Sequence, residues 1–238
     1  MINLEKNGDV FILTMQEGEN RWNTAFVRAF SAALDEVEAS TGPAALVTTS
    51  SNEKFFSNGL DLDWYMGKDE SKGGDKTVFA KEFMSLMSRI MTFPMPTVAA
   101  VNGHAFGAGF MCSLCHDVRF MRSDRGFMCA NEVEIGLMIP NPELALFKHK
   151  LPMNTFFETV QLAKRWSGSE AVAAGVVQKS EPLDTLLSSV ISRASELARL
   201  GANREVYGNM KQAIYGENAA INQPYGPAYM LNHPEDFH

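Results

Sequence analysis

The chain has few cysteines, no long apolar run and no block of like charge. Its three cysteines are an odd number in 238 residues. That argues against a disulfide framework and for free thiols in a reducing compartment. No apolar stretch approaches the roughly 20 residues that cross a bilayer. Met1-Ile2-Asn3-Leu4-Glu5-Lys6 lacks the apolar centre of a signal peptide. Asp236-Phe237-His238 is not a peroxisomal ending of the Ser-Lys-Leu type. Acidic residues outnumber basic ones, 28 to 21, and the net charge of −7 disfavours nucleic acid as a bulk partner. An anionic small molecule needs only a few local bases and stays open. No internal repeat is evident at the sequence level.

What is present is an ample supply of core residues. Hydrophobic residues make up 45%, enough for one large domain with or without a small appendage. Residues 2–15 read as a hairpin about Asn7-Gly8-Asp9. Phe26, Ala29, Phe30, Ala33, Leu34 and Val37 form one apolar stripe, which predicts a helix over 25–38. Ala45–Thr49 and Thr97–Val101 read as buried strands. Residues 66–76 read as a mobile, glycine-bearing surface loop. A helix over Val78–Met91 is stopped by Pro94 and Pro96. Another opens after Gly107 and runs to about Leu114. Val118–Met121 and Phe127–Ala130 are further strands. Ser169-Glu170-Ala171 starts a helix with a cap, and the strongest stripe spans Leu183–Ala198. The expected class is an α/β core with a helical C-terminal segment.

Two turns carry chemistry. Phe55-Phe56-Ser57-Asn58-Gly59-Leu60-Asp61-Leu62 and Val101-Asn102-Gly103-His104-Ala105-Phe106-Gly107-Ala108-Gly109 each put glycine after a strand-like run. One backbone N–H from each can hold a single oxygen that gains charge. Gly59 permits the backbone to aim the Leu60 N–H inward. The helix opening at Gly107 offers free N–H groups and a positive dipole end. A dinucleotide fingerprint fits poorly: the third glycine is missing, Cys112 standing three residues past Gly109, and no acidic ribose partner follows.

Together these stretches resemble the enoyl-CoA hydratase/isomerase (crotonase) superfamily. Cys115-His116-Asp117, Glu132-Val133-Glu134-Ile135-Gly136-Leu137 ahead of Ile139-Pro140, and Ser169-Glu170-Ala171 with Ala174-Gly175-Val176-Val177 extend the match over roughly residues 2–215. The resemblance implies a crotonase-type spiral of repeated β-β-α units in residues 1–182. It implies a helical segment in 183–238 that packs on neighbouring subunits, giving trimers or dimers of trimers. It also implies an acyl-CoA substrate whose thioester oxygen is held by the N–H groups of Leu60 and Ala108. CoA then arrives with the substrate and no separate cofactor or metal is needed.

Acid/base groups decide the reaction within the superfamily. Its hydratases are similar in using two glutamates, one in the helix after the second turn. Met111 stands there and cannot carry a proton. Glu132 matches the other, and Asn131-Glu132 is similar to mitochondrial-type Δ3,Δ2-enoyl-CoA isomerases. One carboxylate suffices to move a double bond from C3 to C2. The expected activity is therefore that isomerisation, in fatty-acid β-oxidation. Rival expectations are enoyl-CoA hydratase, thioesterase or dehalogenase activity, or acyl-CoA binding without catalysis. Glu134 would share a face with Glu132 on an extended segment and is the fallback base.

Further expectations complete the site. Phe56, Ser57, Asn58, Gly59, Asp61, Leu62, Gly107 and Met111 are expected at the substrate, with Asp61 also bracing its loop. Arg21 and Lys54 are expected near CoA phosphates. Trp64, Met66, Phe79, Phe83 and Met87 are expected to line an acyl tunnel. Ala108, Asn58 and Asn141-Pro142 depart from the superfamily pattern and leave chain-length preference open. A β-oxidation role without a presequence points to the peroxisome, the alternative being the cytoplasm. Cys112-Ser113-Leu114-Cys115-His116 fits a c-type haem motif formally, but buried helix cysteines are the expectation. No second Cys/His pair supports zinc. Cys129 reads as core and His104 as structural.

Overall fold

The computed structural model describes residues 1–69, 71 and 73–237. In chain order its elements are β1 (Ile2–Asn7), β2 (Val10–Met15), α1 (Thr24–Glu38), β3 (Ala45–Ser50), β4 (Phe55–Ser57), α2 (Leu62–Tyr65) and α3 (Phe79–Met91). β5 (Thr97–Val101), β6 (His104–Phe106), α4 (Ala108–Cys115), β7 (Val118–Arg122), β8 (Met128–Cys129) and α5 (Asn141–Lys150) follow. The chain continues through α6 (Met153–Gln161), α7 (Gly168–Ala173), β9 (Lys179–Glu181), α8 (Leu183–Ala198), α9 (Arg204–Tyr215) and α10 (Pro227–Asn232).

The strands alternate between two sheets. A six-stranded sheet has the order β1-β2-β3-β5-β7-β9, and a three-stranded sheet has the order β4-β6-β8. Each turn of chain lays one strand in the large sheet, one in the small sheet, then a helix. β3-β4-α2/α3, β5-β6-α4 and β7-β8-α5 are three such turns. Neighbouring strands from successive turns pair in parallel in both sheets. This is the β-β-α spiral, and it explains how motifs about fifty residues apart meet.

The central strands of the large sheet are buried on both faces, and their period-two pattern shows why. Val10, Ile12, Ala45, Val47, Val98 and Ala100 point one way and pack under Leu186, Val190, Ala194 and Ala198 of α8. Phe11, Leu13, Met15, Leu46, Ala99 and Val101 point the other way, into the main core with Trp22, Phe26 and Phe30. Adjacent residues of a strand face opposite sides, so β2, β3, β5 and β7 each feed both cores. α1 starts where Asn23 accepts the Phe26 N–H at 2.9 Å. α7 starts at Ser167, two residues before the cap read from the sequence, in a reciprocal capping box with Glu170.

Residues 66–69 and 71 of the expected surface loop are exposed, and Glu70 and Lys72 lie outside the described residues. The loop's far end is tied down. The Gly73 carbonyl accepts the Ala25 N–H at 3.0 Å, the Gly74 carbonyl accepts the Trp64 indole N–H, and the Asp75 carbonyl accepts the Thr24 hydroxyl.

Candidate active site

The three small-sheet strands run parallel, so their C-terminal ends share one rim. β4 ends into Gly59-Leu60, β6 into Gly107-Ala108, and β8 into Asn131-Glu132. Gly59 has φ +79°. A Cβ there would lie 2.8 Å from the Phe106 carbonyl oxygen and 3.8 Å from the Ala108 amide nitrogen. The two turns therefore touch, and only glycine permits the approach. The Trp22 N–H donates to the Gly59 carbonyl at 2.8 Å, and the Asp61 N–H donates to the Trp22 carbonyl at 2.9 Å. Along this extended stretch successive N–H groups alternate in direction. The Leu60 N–H, between those two bonds, points away from Trp22. Ala108 is the first residue of α4, so its N–H has no acceptor inside the helix. Among the described residues neither amide donates to a protein group.

Glu132 faces the same point. Its Oε1 lies 2.9 Å from where a Cβ on Gly107 would sit, and Gly107 has φ +49°. Glu132 opens a 3-10 turn over Val133–Ile135, its carbonyl accepting the Ile135 and Leu137 N–H groups. Its Oε2 is buried with no hydrogen-bond partner. An unpaired buried carboxylate is costly, and burial accordingly raises its pKa, opposed by its own backbone amide. The turn also decides between the two neighbouring glutamates. Glu134 points outward and pairs with Arg165 at 3.3 Å, because a 3-10 turn does not keep alternate residues on one face as a strand would.

These groups border a cavity of about 440 Å³. Of the residues expected at the site, Arg21, Asn58, Gly59, Leu60, Leu62, Gly107, Ala108, Met111 and Glu132 line it. Four do not. Phe56 and Ser57 are fully buried behind the wall, where the Ser57 hydroxyl donates to the Asn20 carbonyl at 2.7 Å. Asp61 caps α2 by accepting the Trp64 N–H. Lys54 lies over the Phe55 ring, 4.9 Å from its centroid. The expected tunnel lining is met only in part. Phe79 and Phe83 are in the wall, joined by Tyr65, Met84, Leu137 and Met138. Trp64 and Met87 are core, and Met66 is exposed. At the cavity edge Glu19 accepts bonds from both Arg21 and Asn58.

Sequence reasoning missed Glu143. It lines the cavity with Glu132 and is buried. Burial, and then the charge of Glu132, push its pKa up to about 8. The count of one cavity carboxyl, made because Met111 occupies α4, therefore becomes two: the second arrives from α5. The signal was adjacent to Asn141-Pro142, a stretch that stood out only for lacking glycine.

The remaining motifs are structural. Cys112, Cys115 and Cys129 are buried free thiols, and no group of His, Cys, Asp and Glu fit to hold a metal occurs among the described residues. His116 is buried between the Thr48 hydroxyl (2.8 Å) and the Cys112 carbonyl (2.9 Å). His104 stacks on Phe106, with ring centroids 5.1 Å apart.

The architecture is that of the crotonase-type spiral. An apo enoyl-CoA isomerase of Mycobacterium tuberculosis shares it, with a TM-score of 0.75 at 26% identity over 89% of each chain. Residues 5–224 match the family model for enoyl-CoA hydratase/isomerase. Enoyl-CoA delta isomerase 3 of Arabidopsis thaliana is 33% identical over 91% of this chain and 93% of its own. Enoyl-CoA delta isomerase 2, peroxisomal, of the same plant is 32% identical over 93% and 95%. The chain belongs to the enoyl-CoA hydratase/isomerase family.

Proposed function

We propose that the protein is a Δ3,Δ2-enoyl-CoA isomerase, moving a double bond from C3 to C2 of an acyl-CoA thioester in fatty-acid β-oxidation. The thioester oxygen accepts the Leu60 and Ala108 N–H groups. Their grip stabilises the enolate formed when Glu132 removes a proton from C2. Glu132 then returns a proton to C4, and the carboxylate is restored. Each such donor lowers a barrier by about 2.7–4 kcal/mol. The N-terminal end of α4 adds its dipole. The observation that carries this reading is a Glu132 carboxyl whose Oε2 is buried and unpartnered, in the cavity that Leu60 and Ala108 also line. The resemblance to delta isomerases supports it. CoA comes with the substrate, and no other cofactor has a role. The peroxisomal relatives support a peroxisomal setting. No helix among the described residues is long and apolar enough to cross a membrane.

The test is direct. Incubation with 3-hexenoyl-CoA is expected to give conjugated 2-enoyl-CoA. Glu132→Gln is expected to keep acyl-CoA binding while turnover falls by about 10²–10⁴. Full turnover in that variant contradicts the mechanism. Glu143 favours one rival, water addition, because hydration uses both an acid and a base. Substantial 3-hydroxyacyl-CoA formed from 2-enoyl-CoA would select that rival.

A further inference from the structure

Glu143 is the third residue of α5, and its local partners are chemically missing. A glutamate there ordinarily reaches back to the N-cap backbone N–H. The N-cap here is Pro140, and Pro142 follows inside the first turn. Neither has an N–H. Glu143 lines the cavity instead, in a wall that also holds Met111, Met84 and Pro140. Among the described residues no hydrogen bond or ion pair reaches it.

The groups around it offer no counter-charge. α4 contributes the Cys115 thiol, which burial pushes up to about 12 and so keeps neutral. α3 contributes Phe79, Ala80, Phe83 and Met84 to the wall. On α10, Tyr229 stacks on Tyr225 and His233. On α6, Glu158 pairs with Lys164. Lys150, at the far end of α5, donates to the His116 carbonyl and the Tyr215 hydroxyl. Arg21 is bound by Glu19. Glu132 is the charged group that acts on Glu143.

Building on the proposed isomerisation, the geometry points to Glu143 as a positioning residue that works un-ionised, leaving the cavity a single negative carboxylate, on Glu132. Two carboxylates in one apolar cavity repel each other. A second charge would also oppose the negative charge gathering on the thioester oxygen. Proton loss from Glu143 therefore turns the site off. With its pKa near 8, the loss falls on the alkaline side of neutrality, opposite in direction to the acid-side loss caused by protonating Glu132.

The pH profile of kcat/KM tests this in the full chain. Wild type is expected to lose activity about tenfold between about pH 7 and about pH 9. Glu143→Gln, which imitates the un-ionised acid, is expected to hold the ratio of those two activities near one. Glu143→Asp is expected to restore a fall. The same fall in Glu143→Gln as in wild type overturns the proposal. A second measurement needs no substrate. The protonated-carboxyl C=O stretch in infrared difference spectra should bleach through about pH 8 in wild type and lack that component in Glu143→Gln. Bleaching only in the ordinary carboxylate range overturns it too. Absence of isomerisation at every pH would remove the proposed function yet leave the infrared titration standing.

Discussion

At the residue scale the site is made by close approaches that few side chains permit. Gly59 is the sharpest case. Its φ of +79° costs other residues about 1–2 kcal/mol, and a methyl there would sit 2.8 Å from the Phe106 carbonyl. Gly59→Ala must therefore move the Leu60 amide away from Ala108. Its kcat for 3-enoyl-CoA is expected to fall on the order of 10²–10³, the usual cost of one misplaced oxyanion donor, with a smaller loss in Tm. Steady-state kinetics and thermal unfolding of the purified variant check both. Unchanged turnover would mean that Leu60 does not hold the thioester oxygen. The glycines, Glu132 and Met111 were legible because they sit in short motifs. Glu143 was not, because nothing local distinguishes a glutamate aimed into a cavity from one in solvent. Glu134 shows the converse: strand spacing made it a fallback, and one 3-10 turn sent it to Arg165.

At the element scale, legibility followed the length of the periodic pattern. α8 matches its expected span, Leu183–Ala198, because sixteen residues of stripe follow a proline. β3 and β5 were plain from buried β-branched runs. α2 is four residues long, too short to show any period, whereas β8 falls inside the strand read over Phe127–Ala130. The pairing of β4, β6 and β8 into a separate small sheet was not legible from the residues, because pairing joins strands far apart in the chain, although each strand is continued by a readable turn. α4 needs a further anchor, since it is apolar all round and short. His116 supplies it by bridging Cys112 to Thr48 of β3. Burial lowers its pKa from 6.5 to about 4. The unfolded chain takes up that proton below about 6.5 while the folded chain resists until about 4. Stability from this group is thus complete above 6.5 and is lost as pH falls through that window. The loss is about 3 kcal/mol at about 1.4 kcal/mol per unit. Chemical denaturation across the window should show this slope in wild type and not in His116→Gln. Equal slopes would mean His116 does not resist protonation.

At the scale of the whole molecule, α9 is dressed the wrong way round for a chain acting alone. Its inner side carries a buried Lys211, paired at 2.8 Å with Asp117, and Tyr207, whose hydroxyl donates to the same carboxylate. Its outer side carries Val206, Met210 and Ile214, all exposed. Those three stand four residues apart and form one stripe on the helix. A buried ion pair is a poor source of stability, and an exposed apolar stripe invites a partner. The exposed stripe makes sense if a second copy covers α9, as the resemblance implies for this C-terminal segment. Sedimentation velocity is expected to give a trimer or a dimer of trimers. Met210→Glu would put a charge in the middle of the stripe, and it is expected to shift the population to smaller species while the monomer keeps its helical circular dichroism. A wild-type monomer at working concentration, or an oligomer indifferent to Met210→Glu, would assign the stripe to something other than self-association.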